Sequence, residues 1–354
     1  MAELKVLLHG DLFITNEVLR TALEEVFQGT GITFTYDELT GNWPVEPITE
    51  IEDVRECVGS PDDICARVGD VDLIVTHSAP ISSRVIEAAP RLRAVGAARG
   101  GPVNIAVQAC TARGIPVFYA PGRNSGAVAE FTLGMILAAT RNIVRSHVSL
   151  MRDRQWRGDL YVLSEVGTEL SEATVGVVGF GAIGSKVARL CQCFGARTLV
   201  YDPYVPAERI REAGHEPVSL EDLLRQSDIV TLHVRLTPES RGMIGAREIG
   251  WMKPTAFLIN TARGGLVDHG ALYQALKERR IAGAALDVFE DEPPPDDSPL
   301  FSLDNVVATS HLAGASRQAA AIGARVMAEE LRRYLTGEAK PRFCMNPEVL
   351  ERGG

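Results

Sequence analysis

The stretch TVGVVGFGAIG, residues 174–184, decides the fold because it joins a short apolar run to a GxGxxG glycine pattern. That pattern alone is weak, but here it follows a predicted strand, Thr174–Val178, and opens a predicted helix, Ala182–Phe194. In this setting the first glycine permits a tight turn, the second lets the backbone approach a pyrophosphate, and the third allows close helix–strand packing. The sequence therefore predicts a dinucleotide site with three glycines, Gly179, Gly181 and Gly184.

An acidic residue follows the next predicted strand, Thr198–Tyr201, where a dinucleotide site needs a ribose contact. Asp202 lies 23 residues after Gly179, close to the spacing of the ribose-binding acid. A carboxylate there accepts hydrogen bonds from the ribose hydroxyls and repels a 2′-phosphate, and the residues that follow are Pro203 and Tyr204 rather than arginine. This pattern favours NAD over NADP. The alternative is a solvated acid that begins a turn with Pro203.

Composition and charge exclude several classes of protein. The chain has 354 residues, which favours two domains, and 45% hydrophobic with 23% charged residues is typical of a globular protein. A net charge of −10 argues against nucleic-acid and membrane-surface partners, while a small anionic substrate requires basic residues concentrated in one cleft. The six cysteines are scattered without a CxxC pair, so we expect buried free thiols and no metal site.

Short apolar segments alternate with helical patterns along the whole chain, which predicts an α/β fold with parallel sheets. The opening MAELKVLLHG is too short and too charged for a signal peptide, and the sequence has no run of about 18 apolar residues. We therefore expect a cytoplasmic protein. A first series of about five strands precedes a predicted long helix, Ser125–Leu150, and a second series of six strands begins at Thr174.

Two domains follow from this order, with the cofactor domain second. A predicted final helix, Arg317–Leu335, lies beyond the sixth strand of the second series and is expected to pack back on the first domain. We therefore divide the chain into a substrate domain, residues 1–122 completed by 316–354, and an NAD-binding domain, residues 123–315.

Polar loops follow three successive strands of the second series, where an open α/β sheet binds its ligand. Arg263 follows the strand Phe257–Asn260 and can clamp a carboxylate with two hydrogen bonds. His311 follows the last strand and is suited to acid–base work near neutral pH, and a neighbouring carboxylate would orient its ring. Each residue alone is more typical of a surface ion pair or a packed histidine; their joint placement favours hydride transfer to a 2-keto acid.

Three further segments resemble the D-isomer-specific 2-hydroxyacid dehydrogenases, including the phosphoglycerate dehydrogenases. They read INTARGGLVD at 259–268, GAALDVFEDEP at 283–293 and NVVATSHLAGA at 305–315. The resemblance covers nearly the whole chain. It implies a flavodoxin-like substrate domain beside a Rossmann NAD-binding domain, an active site between them, and a homodimer.

The resemblance also implies roles for individual residues. Arg263 would bind the substrate carboxylate and carbonyl, His311 would donate the proton, Glu292 would pair with His311, and Asp287 would contact the nicotinamide carboxamide. Further cofactor contacts carry over to Ala182, Ile183, His233, Val234, Thr261, Ala262, His311 and Gly314.

The substrate loop departs from the family pattern GxGxDNxD, since residues 99–106 read RGGPVNIA. Gly100 and Gly101 can still donate N–H groups to a substrate carboxylate, whereas Pro102 cannot. Arg99 is an added cation. It either binds a second acidic or hydroxyl group of the substrate or pairs with a surface carboxylate.

These features predict an NAD-dependent enzyme that interconverts a D-2-hydroxy acid and a 2-keto acid. Two alternatives stay open at this point. The substrate could be a phosphoglycerate or a sugar acid, or the chain could be a non-catalytic, NAD-sensing corepressor-like protein, which the complete Arg–Glu–His set disfavours. The sequence does not identify the hydroxy acid or the physiological direction.

Overall fold

The computed structural model describes residues 2–351 of the chain, which form two compact units. One unit consists of the residues before Ser125 and after Gly314, and the other is Ser125–Gly314. These bounds differ from the expected domain limits by at most two residues. Each unit is built around one parallel sheet, so the expected α/β architecture with parallel sheets is confirmed.

Five parallel strands form the sheet of the first unit, and a small antiparallel hairpin lies outside it. The strands of this unit are β1 (Ala2–Gly10), β2 (Ile32–Thr40), β3 (Thr49–Ile51), β4 (Val54–Cys57), β5 (Leu73–Thr76), β6 (Ala94–Ala97) and β7 (Val117–Tyr119). The order in the sheet is β2-β1-β5-β6-β7, which is the flavodoxin-like arrangement. The hairpin of β3 and β4 was not predicted from the sequence.

Helices cover both faces of this sheet. They are α1 (Asn16–Phe27), α2 (Pro61–Cys65), α3 (Ser83–Glu87), α4 (Val107–Ala112) and the final helix (Arg317–Thr336). The final helix lies directly on β6, because a Cβ atom at Gly96 would come within 2.5 Å of the Met327 sulfur. Ser316 begins this helix by accepting a hydrogen bond from the Ala319 N–H at 3.0 Å.

Seven parallel strands form the sheet of the second unit. They are β8 (Thr174–Val178), β9 (Arg197–Tyr201), β10 (Glu216–Pro217), β11 (Ile229–Leu232), β12 (Phe257–Asn260), β13 (Gly283–Leu286) and β14 (Val306–Ala308). The order β10-β9-β8-β11-β12-β13-β14 is that of a Rossmann domain, extended by one strand beyond the six-strand arrangement. Every residue of β11 and β13 is buried, as expected for strands that are covered on both faces.

The helices of the second unit are α5 (Ser125–Thr140), α6 (Ile143–Met151), α7 (Gly184–Cys193), α8 (Ala207–Glu212), α9 (Leu220–Gln226), α10 (Ala246–Trp251) and α11 (His269–Lys277). Six 3-10 turns complete the secondary structure of the two units, at Val68–Asp70, Gly158–Tyr161, Leu170–Glu172, Gly264–Leu266, Pro299–Ser302 and Pro347–Val349.

The expected single helix Ser125–Leu150 is wrong, since α5 and α6 meet at an angle of 69°. Asn142 adopts the left-handed conformation, with φ of 55°, and its side-chain amide donates a hydrogen bond to the Glu165 carbonyl at 2.7 Å. Asparagine enters this backbone region more readily than most residues, so it is a suitable break point. The break therefore depends on a contact with a distant loop, which the helical pattern does not reveal.

No single helix within residues 2–351 is long and apolar enough to cross a membrane. Only α5 and α6 taken together reach the required length and composition, and they are bent against each other.

Candidate active site

The loop between β8 and α7 has the geometry of a phosphate cradle. Gly179 has φ of +95°, and a Cβ atom there would lie 2.7 Å from the His233 carbonyl oxygen. A Cβ atom at Gly184 would lie 1.9 Å from the Gly179 carbonyl oxygen, whereas one at Gly181 would meet only open space. Gly179 and Gly184 are therefore required by backbone packing, and Gly181 keeps the surface of the loop clear for a ligand.

The backbone of this loop also offers free donors. Helix α7 begins at Gly184 rather than at the expected Ala182, so that Ala182 and Ile183 lie in the turn before it. Their N–H groups find no acceptor among the described residues. Unpaired N–H groups at the start of a helix bind anions, and these two fit the pyrophosphate of a dinucleotide.

Asp202 lies at the end of β9, beside the glycine loop. One carboxylate oxygen accepts a hydrogen bond from the Phe180 N–H at 2.7 Å, and the other accepts from the Tyr204 N–H at 2.8 Å. The side chain is partly exposed, and each oxygen retains a second lone pair. The carboxylate is thus fixed by the backbone while it stays available to ribose hydroxyls.

The remaining residues predicted for the cofactor follow β11, β12 and β14 at the same sheet edge. His233 follows β11; its Nε2 lies 2.9 Å from the Thr231 hydroxyl, and its Nδ1 is buried without a partner within the described chain. Burial lowers the pKa of His233 to about 3, so the ring is neutral. An orphaned ring nitrogen beside Val234 and the glycine loop fits a ligand group. The hydroxyl of Thr261, by contrast, is taken by Thr132 at 2.7 Å.

His311 and Glu292 form a direct pair, as the sequence predicts. The His311 Nδ1 lies 2.6 Å from Glu292 Oε2, and the Phe289 N–H donates to Glu292 Oε1 at 3.0 Å. Burial alone would raise the pKa of Glu292, but the hydrogen bond and charge of His311, the Phe289 N–H and the charge of Arg263 hold it below its ordinary value. Glu292 is therefore ionised, and Nε2 of the partly exposed His311 is left for a substrate.

Arg263 lies on the neighbouring strand-end loop and is exposed. Its guanidinium donates to the Ala262 carbonyl at 2.8 Å, and Asn260 holds the Arg263 carbonyl at 2.9 Å. The next residue must be glycine, because a Cβ atom at Gly264 would lie 1.9 Å from the Phe289 carbonyl carbon. This close packing of the two loops brings Arg263, Glu292 and His311 to one region of the sheet edge.

Asp287 follows β13 and is hydrogen-bonded to the loop that carries His311. Its carboxylate is fully buried, and it accepts hydrogen bonds from the Thr309 hydroxyl at 2.6 Å and from the N–H groups of Leu312 and Ala313, both at 2.8 Å. These contacts fix the loop that carries His311 and leads to Gly314. They indicate that Asp287 positions this loop, a role that the sequence does not reveal, and its contact with the nicotinamide carboxamide stays a prediction.

In the first unit, Arg99 is engaged by a carboxylate. Its guanidinium contacts Glu56 and also donates to the Glu56 carbonyl at 3.1 Å. Of the two expectations for Arg99, these contacts support the surface ion pair. Gly100 and Gly101 are exposed, and their N–H groups find no acceptor within residues 2–351, so they remain available to a substrate carboxylate.

Sequence reasoning missed a polar cluster at the carboxyl edge of the first sheet, formed by Asp11, His77 and Arg123. Each of the three residues follows a parallel strand, and this placement could have indicated from the sequence that they lie at one edge of the sheet. All six cysteines are free thiols, as expected, and Cys57, Cys110 and Cys191 are buried. The expectation that the thiols are buried is wrong for Cys193, which is exposed. No group of three metal-ligating side chains occurs in the described part of the chain.

Comparison with known sequences gives consistent matches. The profile "D-isomer specific 2-hydroxyacid dehydrogenase, NAD binding domain" matches residues 133–313. A D-3-phosphoglycerate dehydrogenase of Methanocaldococcus jannaschii is 39% identical over 86% of this chain, which spans only 58% of that relative. A glyoxylate reductase of Korarchaeum cryptofilum is 43% identical over 81% of this chain and 86% of its own length.

Comparison with solved structures agrees on the fold. A D-isomer specific 2-hydroxyacid dehydrogenase from Lactobacillus delbrueckii ssp. bulgaricus, solved in its NAD complexed form, has a TM-score of 0.78 at 22% sequence identity. The match covers 97% of this chain and 100% of that chain.

Proposed function

Because the chain belongs to the family of D-isomer specific 2-hydroxyacid dehydrogenases, we propose that it reduces a 2-keto acid to a D-2-hydroxy acid, and catalyses the reverse oxidation. NAD is the cofactor and supplies or accepts the hydride when bound. The observation that carries the proposal is the His311–Glu292 pair, with Arg263 on the adjoining loop.

The proton steps follow from the pair. With Glu292 ionised, Nδ1–H of His311 donates to the carboxylate, which fixes the ring and stabilises an imidazolium. In reduction the Nε2–H proton of this imidazolium passes to the carbonyl oxygen, while C2 gains the hydride. In oxidation the neutral ring takes the hydroxyl proton at Nε2. Glu292 stays ionised throughout.

Two kinds of hydrogen-bond donor are available to a 2-keto acid, a guanidinium and backbone N–H groups. Arg263 supplies a planar pair of donors that suits a carboxylate and polarises the adjacent carbonyl. In the first unit, the free N–H groups of Gly100 and Gly101 are donors of the kind that a substrate carboxylate accepts. A cation such as Arg263 also offsets the repulsion that a small anion meets from a chain of net charge −10.

The test is NADH oxidation with purified protein and a panel that includes glyoxylate, hydroxypyruvate and pyruvate. We expect turnover of at least one 2-keto acid, and a fall in kcat on the order of 10²-fold or more in His311→Gln. Arg211→Gln, which alters an exposed arginine on α8, is the matched control and should retain the wild-type rate. A His311→Gln variant that is as active as the wild type would contradict the assignment.

We also propose that the protein is a homodimer. The segment after α6 exposes large apolar side chains, with Trp156, Tyr161 and Leu163 82%, 90% and 89% exposed. Several large apolar side chains exposed within one short segment are typical of a protein interface. Light scattering should give twice the chain mass of 38.3 kDa, and Leu163→Asp should lower it. A wild-type protein of one chain mass at micromolar concentration would refute this proposal.

A further inference from the structure

The cluster of Asp11, His77 and Arg123 lies where an open parallel sheet binds ligands. Asp11 follows β1, His77 follows β5 and Arg123 lies beyond β7, so all three are at the carboxyl edge of the first sheet. The exposed Gly100 and Gly101 follow β6 at the same edge. The cluster therefore adjoins the backbone donors assigned to the substrate carboxylate.

Asp11 and His77 form a buried pair with a defined charge state. The His77 Nδ1 lies 2.6 Å from Asp11 Oδ2, and both side chains are almost fully buried. Burial lowers the pKa of His77, and the charges of Arg123 and Arg99 add to this effect, although Asp11 opposes it. His77 is thus neutral. Its Nδ1–H donates to Asp11, which leaves the Nε2 lone pair to accept from Arg123 at 3.1 Å.

Asp11 has no free acceptor to offer Arg123. Its Oδ1 accepts from the N–H groups of Phe13 and Ile14 at 2.9 and 2.8 Å, and its Oδ2 accepts from His77 and from the Ser78 hydroxyl, both at 2.6 Å. Burial alone would raise the pKa of Asp11, but these hydrogen bonds hold it below its ordinary value. The carboxylate is therefore used to orient His77, and it neutralises Arg123 only at a distance.

Arg123 lacks a direct counter-ion. Its partners are the His77 ring nitrogen, the Ala319 carbonyl at 3.5 Å and the face of Phe13 at 5.6 Å, and no carboxylate within residues 2–351 lies at ion-pair distance. Burial, and then the charge of Arg99, lower the pKa of Arg123 to about 10, so the guanidinium remains charged at neutral pH. A partly exposed cation held by neutral groups is suited to bind an external anion.

The fold is shaped around this side chain. A Cβ atom at Gly323 of the final helix would lie 2.7 Å from the Arg123 Cδ, so the helix leaves room for the arginine stem. Phe13 contacts the guanidinium from another side and packs edge-on against Trp43, at 5.8 Å between ring centres. The nearby Arg99 is already paired with Glu56. Arg123 is therefore the cation at this sheet edge that is left without a carboxylate partner among the described residues.

We propose that Arg123 binds a second oxyanion, a carboxylate or a phosphate, at the far end of the 2-keto acid, and that His77 and Asp11 position it. The inference rests on the proposed function and narrows the substrate to doubly acidic 2-keto acids. The glycine donors of the first unit would hold the carboxylate beside the reacting carbonyl, while Arg123 of the same unit would select for the other end.

The test compares substrates that differ only in the second anion. Phosphohydroxypyruvate is matched with hydroxypyruvate, and 2-ketoglutarate with 2-ketovalerate. The wild type should prefer one doubly acidic member over its counterpart by about tenfold or more in kcat/KM. The pair that shows this preference distinguishes phosphate from carboxylate. Equal rates within both pairs would overturn the proposal.

Variants separate binding from a structural role. Arg123→Gln should lower kcat/KM for the preferred acid by about 10- to 100-fold and for its counterpart by less than about threefold, and Arg123→Lys should recover part of the loss. The control is Arg113→Gln, whose guanidinium binds only backbone carbonyls, including that of Ala89 at 3.0 Å. Equal losses for both substrates, accompanied by a lowered Tm as in the control, would assign Arg123 to fold stability instead.

A binding measurement keeps this inference distinct from the proposed function. Calorimetric titration of 3-phosphoglycerate, 2-hydroxyglutarate and lactate into the NAD complex needs no turnover. If no 2-keto acid is reduced, the proposed function falls. Arg123-dependent binding of a doubly acidic ligand would still support the subsite, and binding that is independent of Arg123 would overturn it.

Discussion

Replacing Asp287 by asparagine tests whether a buried carboxylate positions the proton donor. The Asp287 side chain is fully buried and receives three hydrogen bonds, from Thr309, Leu312 and Ala313. Its main-chain carbonyl also accepts from the His311 N–H at 2.8 Å. His311 itself has φ of 55°, a strained conformation for a residue other than glycine. The loop is thus held in this conformation by the contacts of one residue.

The size of the effect follows from these contacts. Asparagine preserves the volume and one oxygen, but its NH2 group would face the Ala313 N–H, and both are donors. A buried N–H left without an acceptor costs about 1–3 kcal/mol, and the two remaining hydrogen bonds each lose about 1 kcal/mol without the negative charge. The hydrogen bonds around residue 287 would therefore lose about 3–5 kcal/mol of stabilisation in total. This loss exceeds the roughly 1–3 kcal/mol of backbone strain at a left-handed residue, which these hydrogen bonds hold in place in the wild type. The loop therefore relaxes, and His311 moves.

Steady-state NADH oxidation and urea unfolding report the two consequences. We expect kcat to fall about 100-fold, the loss that a displacement of about 1 Å produces, and the free energy of unfolding to fall by about 3 kcal/mol or more. The control is Asp228→Asn. Asp228 accepts from the Thr174 N–H at 2.9 Å and from Lys253 at 2.8 Å, at the opposite edge of the same sheet. It should lose stability but keep its kcat. Equal kcat losses in both variants, or none in Asp287→Asn, would refute the positioning role.

Three further predictions address the cofactor, the substrate and acid stability. Asp202→Ala should narrow the preference for NADH over NADPH by about tenfold or more, measured as a ratio of kcat/KM values, because the repulsion of a 2′-phosphate is lost; an unchanged ratio would exclude a ribose contact. Arg263→Ala should lower kcat/KM for the 2-keto acid by about 10²-fold or more and leave the Kd of NAD nearly constant in a fluorescence titration, whereas an unchanged rate would contradict its role. The pKa of His77 is lowered in the folded protein, so protonation favours the unfolded chain, and the free energy of unfolding should fall as the pH drops below about 6.5. The variant His77→Gln should be less stable than the wild type at about pH 8 but should lose less stability between about pH 7 and 5.5. Parallel curves of unfolding free energy against pH for the two proteins would disprove this.

Buried parallel strands were the part of the fold most open to prediction. Thr174–Val178 and Phe257–Asn260 have the same bounds in the sequence pattern and in the structure. Each is a short apolar run between turn residues, because a strand covered on both faces needs apolar side chains throughout. The break between α5 and α6 could not be predicted in this way, since it depends on Asn142 and a loop carbonyl more than twenty residues away.

The candidate site was open to prediction where one residue type dictates the chemistry, as for His311 and Arg263. The site could not be predicted where the role of a residue depends on which atoms surround its side chain. Nothing in the sequence around Asp287 indicates that its side chain anchors a loop, and only the three donors around its carboxylate reveal this role. Asp11, His77 and Arg123 are likewise far apart in sequence, and the strand order alone brings them together.

The two histidine–carboxylate pairs show how burial changes the chemistry of one arrangement. In both pairs Nδ1 lies 2.6 Å from a carboxylate oxygen, yet the side chain of His311 is 45% exposed and that of His77 is 6% exposed. Water and an ionised Glu292 can stabilise an imidazolium at His311, so this ring can both give and take a proton. At His77 the same charge would be buried beside two arginines, and the ring stays neutral. A neutral ring can accept a hydrogen bond from Arg123 at neutral pH. One pair is therefore suited to move a proton, and the other to hold a cation in place.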